Sequence, residues 1–293
     1  MSVKTVMITG ADSGLGFETA LKIAADGEFA LILACRNEEK AKAACKEIAA
    51  ATGNGNVSVE LLDVSSLESV RACADRIAAS GRKLDVLINN AGISPQHSGT
   101  TPDGFELVFE TNYLGPFALT LLMLPSMAPE GGIFMVSSDM HNPPDGIQWR
   151  GLDYLAYHAQ DDRARYSYSK LCDLLFTYEL ARKLKAAGLS ITSNAFNPGF
   201  MDSTNFSGPG NNPDRAQFVK LSMPERYSTL EASSTAFANL ITSGEYRKVT
   251  GAYFDRDKGI GGSSALSRDA AIQQQVWNES LKLAGLSEPS LLR

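Results

Sequence analysis

Short, nearly uninterrupted apolar runs alternate along the chain with longer stretches in which apolar residues return every three or four positions. VKTVMIT (3–9), FALILAC (29–35), VSVELL (57–62) and LDVLIN (84–89) are runs of the first kind. Continuous rather than alternating apolarity predicts strands covered on both faces, hence a parallel sheet. Gly14 to Asp26, Glu38 to Ala51 and Leu67 to Ala79 are stretches of the second kind and predict amphipathic crossover helices. The alternation continues through GGIFMVSS (131–138), a helix from about Arg163 to Ala187, and LSITSNAFNP (189–198). Repeated strand–helix–strand units with right-handed crossovers predict an α/β fold of the Rossmann type: a doubly wound parallel sheet with helices on both faces and ligands at the carboxyl ends of the strands. Since no linker, repeat or low-complexity segment interrupts the pattern, residues 1–293 read as a single domain.

Two segments break the rhythm: Asp139 to Asp162, rich in Pro, Gly, Trp and Tyr, and Phe200 to Tyr227, which contains FSGPGNNPD. Long irregular stretches in a compact domain are usually functional or disordered. Both follow the carboxyl ends of predicted strands, so they are expected to be ligand-facing loops, with a plain surface loop as the alternative. Composition adds exclusions. A formal net charge of -6 disfavours nucleic acid and anionic lipid as partners. Cys35, Cys45, Cys73 and Cys172 lack the close pairing of a zinc site and the density of a disulfide scaffold, so they read as reduced thiols. His97, His141 and His158 stand at no metal-ligand spacing, and no metal centre is expected. MSVKTVMITGADSG enters a strand pattern without a charged leader or an apolar signal core, which leads to the expectation of a cytoplasmic protein. Phe117 to Leu124, closed by Pro125, falls short of the roughly 20 residues of a membrane helix, and no membrane span is expected.

Immediately after the first predicted strand comes Thr9-Gly10-Ala11-Asp12-Ser13-Gly14-Leu15-Gly16, which opens the first helix. A glycine-rich turn lets backbone approach a pyrophosphate, and the helix N-terminus beyond it offers unpaired N–H donors and a positive dipole end. In this context TGxxxGxG predicts a dinucleotide site built on Gly10, Ser13, Gly14, Leu15 and Gly16; a tight turn that only packs closely is the alternative. The second predicted strand ends in Ala34-Cys35-Arg36-Asn37, with no carboxylate to hold ribose hydroxyls. A guanidinium there accommodates a 2′-phosphate, so Arg36 with Asn37 predicts NADP(H) over NAD(H). The same arginine also suits a solvated helix start.

Tyr166 and Lys170 stand four apart on a predicted helix, hence on one face. An isolated phenol is a poor acid or base near neutrality, and a neighbouring cation favours its charged form. Tyr168 lacks such a partner, because Cys172 stands four positions on.

Together these residues resemble the short-chain dehydrogenase/reductase family, from Thr9 to about Thr204. Thr9 to Gly16 match its glycine motif, Asp63-Val64 its third-strand pair, Asn89-Asn90-Ala91-Gly92 its NNAG, Asn112 its helical asparagine, Val136-Ser137-Ser138 its strand-end serine, Tyr166 and Lys170 its YxxxK, and Pro198-Gly199 with Ser203 and Thr204 its late cofactor segment. The resemblance implies a cofactor half up to about residue 130 and a catalytic and substrate half beyond it. It also implies roles. Tyr166 would donate the proton and Ser138 hold the same oxygen, with Ser137 as the lesser alternative. Lys170 would bind the nicotinamide ribose and acidify Tyr166, and Asn112 would hold a water of a proton relay. Asp63 and Val64 would face the adenine, Asn90, Ala91 and Gly92 the adenosine ribose, Pro198 and Gly199 the nicotinamide, and Ser203 or Thr204 its amide or the phosphates.

Leu171-Cys172 after the lysine, and Val276-Trp277-Asn278-Glu279-Ser280 with Leu283 to Leu286, are similar to the retinol dehydrogenase and protochlorophyllide reductase branch. Trp149, Leu152, Tyr154, Leu155, Tyr157 and His158, followed by Phe200, Met201, Phe206, Phe218, Leu221 and Met223, would either line an apolar pocket or pack. The expected function is an NADP(H)-dependent oxidoreductase of a lipophilic aldehyde, ketone or secondary alcohol, of the carbonyl reductase type. A light-dependent tetrapyrrole reductase, with Cys172 recruited, is one alternative; a cofactor-binding regulator without turnover is another. Relatives often pair through the helices after the fourth and fifth strands, which extends to a possible homodimer here.

Overall fold

The computed structural model describes residues 3–94, 96–142, 148–159, 161–201, 206 and 213–293. Its first half alternates strand and helix: β1 (Lys4–Thr9), α1 (Gly14–Ala24), β2 (Phe29–Cys35), α2 (Glu38–Thr52), β3 (Val57–Leu61), α3 (Leu67–Ala79) and β4 (Leu84–Asn89). A long helical run follows, in which α4 (Leu107–Phe109) passes through a π-turn (Glu110–Leu114) into α5 (Gly115–Met123). Next come β5 (Met127–Val136), α6 (Leu152–Tyr157), α7 (Asp162–Ala186), β6 (Thr192–Asn197), β7 (Phe200–Met201), α8 (Pro213–Ser222), β8 (Tyr227–Ser228), α9 (Leu230–Thr242), β9 (Tyr253–Asp255), β10 (Ile260–Gly261) and α10 (Ala270–Leu283).

The main sheet runs β10-β9-β6-β5-β4-β1-β2-β3, and every pairing in it is parallel except β10 with β9. Strand order reverses between β1 and β4, so the carboxyl ends of β1, β2, β4, β5 and β6 converge on one edge, the place where such sheets bind ligands. Each sheet face carries its own buried cluster. One joins Met7, Leu87, Ile133 and Ala195 to α3, α5, α7 and α10; the other joins Val6, Ile8, Leu33 and Phe196 to α1, α2 and α9. Alternate residues of β1 feeding opposite clusters is the period-two geometry of a strand, and it explains why its apolar run is unbroken.

Among the described residues, both irregular segments contain regular elements. In the first, Leu152 and Leu155 of α6 are buried, and Trp149 lies edge-on to Tyr168 at 5.2 Å. These side chains pack rather than line a pocket. In the second, Phe200 pairs with Tyr227 and Met201 with Ser228 in parallel, so the excursion that carries α8 is closed at its base. The helical run Leu107–Ser126 reaches a mean hydropathy of 1.4, enough by length and composition to cross a membrane, but 89% of that window is buried inside the protein. Trp277 of α10 stacks on Phe176 of α7 at 5.8 Å and meets Phe117 of α5 edge-on at 5.6 Å. The C-terminal helix α10 thus packs against both α5 and α7.

Candidate active site

The turn after β1 is shaped by two backbone conformations that favour glycine: Gly10 has φ +63 and Gly14 has φ +56. Ser13, at the N-cap of α1, is extended, and its hydroxyl caps nothing. The first N–H groups of α1 therefore lack the side-chain partner that most helix starts have. A Cβ on Gly16 would stand 2.5 Å from Asn90 Nδ2 and 2.6 Å from the Gly10 carbonyl. Buried Leu15 anchors the helix start. From behind, Asn90 Nδ2 donates to the Thr9 and Gly10 carbonyls at 2.9 and 3.2 Å, while the Asn90 and Ala91 N–H groups both donate to Thr9 Oγ1 at 2.9 Å. Asn90 and Ala91 thus brace the glycine turn. A turn closed to side chains yet uncapped at its helix start fits a dinucleotide pyrophosphate.

Around this cradle, the Gly10 N–H donates to the Ala34 carbonyl at 2.8 Å, tying the turn to the end of β2. Arg36 is exposed one residue beyond that end, with no hydrogen-bond or ion-pair partner among the described residues. Asn37 Oδ1 caps α2 by accepting from the Lys40 N–H at 2.9 Å. Asp63 Oδ1 accepts from the Ser65 N–H and hydroxyl at 3.0 and 2.6 Å, which makes it a turn-former. Val64 is buried, and its carbonyl lies where any Cβ on Gly115 would fall.

Asp161 Oδ1 starts α7 by accepting from the Arg163 and Ala164 N–H groups at 2.8 and 3.0 Å, a cap worth about 1 kcal/mol. From there the 3.6-residue repeat turns Tyr166 and Lys170 to one face. The Lys170 ammonium lies 5.9 Å from the Tyr166 ring centroid and donates to the Val136 carbonyl, at the end of β5, at 2.8 Å. Ser137 is buried and its hydroxyl is engaged by the Lys170 carbonyl at 2.9 Å. Ser138 is half-buried, donates to Asp139 Oδ1 at 3.2 Å and accepts from the Met140 N–H at 3.1 Å. Of the two serines, Ser138 is the less buried. Asn112 sits in the π-turn, an irregularity that often marks functional positions. Its side chain clasps Ile93, accepting from the N–H at 2.8 Å and donating to the carbonyl at 3.1 Å, and reaches Ser169 at 3.3 Å. Gly92 leaves room for it, since a Cβ there would stand 3.3 Å from Asn112 Oδ1. Burial pushes the Tyr168 phenol up to about 12, so the neighbouring tyrosine is no acid or base.

The short chain dehydrogenase family matches residues 4–146. Human (Homo sapiens) retinol dehydrogenase 13 is 36% identical over 98% of this chain and 86% of its own length. Polyprenol dehydrogenase from Danio rerio is 34% identical over 97% of this chain and 87% of that protein. Among solved structures, an uncharacterized protein from Mycobacterium Paratuberculosis superposes with a TM-score of 0.76 at 32% identity, covering 98% and 96% of the two chains.

The chain belongs to the short-chain dehydrogenase/reductase family. It is an oxidoreductase, similar to the retinol dehydrogenases, whose fold calls for a nicotinamide cofactor.

In this dehydrogenase/reductase, Pro198 and Gly199 follow β6 on the same edge. Gly199 has φ +75, and a Cβ there would run into the Arg256 guanidinium. Ser203 and Thr204 lie outside the described residues. Cys172 is sealed in the core, and burial holds its thiol well above the ordinary range, a poor setting for a recruited proton donor.

Three groups around Ser138 were not singled out in the sequence. Arg226, at the base of the α8 excursion, donates through Nε to Asp139 Oδ2 at 2.5 Å, linking that excursion to the residue after the serine. Asn197 Oδ1 accepts from the Asp139 and Gly199 N–H groups at 3.3 and 3.1 Å. Buried His141 bridges the Ser138 carbonyl, 2.7 Å from Nδ1, and the Ser264 N–H, 3.0 Å from Nε2. A carbonyl only accepts and an N–H only donates, so the neutral Nδ1–H tautomer satisfies both. Burial lowers the His141 pKa from its ordinary 6.5. The native state thus disfavours the proton that the unfolded chain takes up, and this part of the stability is lost as pH falls below about 6.5. His141→Leu is expected to cost about 1–3 kcal/mol through the unpaired Ser264 N–H, to weaken that acid dependence, and to lower kcat more than it raises KM. Thermal melts across pH and steady-state kinetics check this; unchanged melting at neutral pH contradicts it.

Proposed function

We propose that the protein is an NADP(H)-dependent reductase/dehydrogenase of lipophilic carbonyl and alcohol substrates, of the carbonyl reductase type, acting with Tyr166 as proton donor or acceptor. The observation that carries this reading is the placement of Tyr166 and Lys170 on one face of α7, with the ammonium anchored at the end of β5 beside the strand-end serine. Nicotinamide, when bound, supplies or accepts the hydride. In the reducing direction the Tyr166 hydroxyl gives its proton to the carbonyl oxygen, and the Ser138 hydroxyl donates a hydrogen bond to the same oxygen as charge develops on it. The Lys170 charge favours the phenolate left behind. Asn112 holds the Ile93 backbone beside the site through both ends of its side-chain amide. Gly10, Ser13, Gly14, Leu15 and Gly16 would hold the pyrophosphate, Arg36 the 2′-phosphate, and Pro198 and Gly199 would flank the nicotinamide.

For the substrate, the reading is a long apolar alcohol or aldehyde of isoprenoid type. The similarity to a retinol dehydrogenase and a polyprenol dehydrogenase supports it. So does Phe206, 37% exposed and edge-on to Tyr166 at 5.8 Å, an apolar surface beside the proposed acid. A dark assay of NADPH absorbance against isoprenoid aldehydes, short aliphatic ketones and polar sugars tests this directly. Turnover confined to the isoprenoid and other lipophilic carbonyls is expected; preference for the polar panel, or activity that appears only under illumination, overturns the reading.

A further inference from the structure

Behind the Tyr166–Lys170 pair stands a third ionisable side chain that the expected catalytic set does not contain. The Lys170 ammonium, besides its bond to the Val136 carbonyl, donates to Asp173 Oδ2 at 3.0 Å. Asp173 is fully buried, and its Oδ1 has no hydrogen-bond partner among the described residues. Tyr166, Lys170 and Asp173 occupy positions i, i+4 and i+7 of α7 and so share one stripe of the helix. The other titratable groups close to Asp173 are Cys172 on α7 and Tyr113 in the π-turn; burial holds both in their protonated forms. Tyr113 pairs with the Ser280 hydroxyl at 2.7 Å rather than with the carboxyl. Lys170 is the cation that faces it.

A carboxyl is costly in this place. Burial pushes Asp173 up to about 7, against the pull of Lys170. Buried ion pairs add little net stability and act more through the geometry and field they impose. An ammonium has three donors; with two of them fixed by Val136 and Asp173, the third has a defined direction. The acid therefore controls where Lys170 can reach.

We propose that Asp173 is the positioning residue of Lys170, pinning the ammonium against the end of β5 and placing a compensating negative charge behind the Tyr166–Lys170 pair. Its first consequence concerns cofactor binding through Lys170 and is independent of turnover. The second concerns the acidity of Tyr166 and rests on the catalytic role given to that residue above. Asp173→Asn preserves size and one acceptor while removing the charge. Without it, the positive field of Lys170 acts on the phenol less opposed, so the phenolate forms at lower pH.

The test is a double-mutant cycle on the full-length protein, with NADPH binding read by nicotinamide fluorescence and NADH as a second probe. Asp173→Asn is expected to raise the NADPH Kd by about fivefold, the effect of one weakened charge-assisted hydrogen bond, and to have no further effect in a Lys170→Met background. Equal effects in both backgrounds overturn the proposal. In alcohol oxidation the acid limb of kcat/KM against pH is expected to fall by about one unit; an unmoved limb in an active Asp173→Asn enzyme also overturns it. Asp173→Ser serves in the same cycle should the asparagine variant not fold. Non-additive binding together with full activity of Tyr166→Phe would reject the catalytic reading while leaving the Lys170–Asp173 coupling standing.

Discussion

Replacing Tyr166 by Phe is expected to reduce kcat/KM by about 10²–10⁴-fold, the range that a positioned general acid contributes, while NADPH binding and melting temperature stay near their wild-type values. Three observations set this expectation. The ring is largely buried, at 8% exposure, and meets Phe206 edge-on, so phenylalanine keeps the packing. Lys170 keeps its bonds to Val136 and Asp173, so its place does not depend on the phenol. What is lost is one hydroxyl beside the Lys170 ammonium's ring contact, and no other side chain of the proposed set offers a proton of suitable acidity. Tyr168→Phe is the matched control: its hydroxyl is buried with no partner among the described residues, and removing such a group is neutral or stabilising. The two phenols are two residues apart and predict opposite outcomes. Direction gives a further check. Reduction requires the phenol and so declines as pH rises through its titration, whereas oxidation requires the phenolate and declines as pH falls. Comparable activity in Tyr166→Phe and wild type refutes the assignment.

The fold was legible because its strands are buried on both faces. The runs 29–35 and 84–89 coincide with β2 and β4, and Leu67 to Ala79 with α3. A sharp polar break bounds each pattern: Arg36-Asn37 and Asn90 end the two strands, and Ser66 starts the helix. The region 107–126 was less legible, since a helix apolar on every side has no stripe to detect, and the π-turn inside it leaves no mark in residue type. Loop side chains misled in part: Leu152 and Leu155 carry the same letters whether they line a pocket or seal a core, and only their burial decides. The proposed catalytic set is carried by motifs with fixed spacing. The groups around it leave no such mark, because Arg226 and Asn197 reach Asp139, and His141 reaches Ser264, across long sequence separations, and Asp173 looks like any acid of a long helix until it is found buried against Lys170.

In the proposed reading, cofactor choice rests on Arg36, set against the other charges at the start of α2. α2 begins two residues later with Glu38 and Glu39 in its first turn, which would repel a 2′-phosphate. Lys42 answers them, lying 2.9 Å from Glu38 and 3.7 Å from Glu39. Such exposed pairs are worth about 0–1 kcal/mol, so what remains of the acidic field is small. Against it stands a guanidinium without a protein partner among the described residues, whose direct bonds to phosphate are each worth about 1.5–3 kcal/mol. The start of α2 adds its own favourable dipole. This balance supports the proposed preference for NADP(H), under which Arg36→Ala is expected to lower kcat/KM with NADPH by about 10–100-fold while changing that with NADH by less than about twofold. The NADPH deficit should also shrink as salt screens the remaining charges. Initial rates with both cofactors at two ionic strengths measure it. Arg36→Glu goes further, because a carboxylate repels the phosphate but accepts ribose hydroxyls, and it is expected to invert the preference. Equal losses with NADPH and NADH in the alanine variant would show that Arg36 merely starts a helix, and the choice of nicotinamide would then belong to other residues of the cleft.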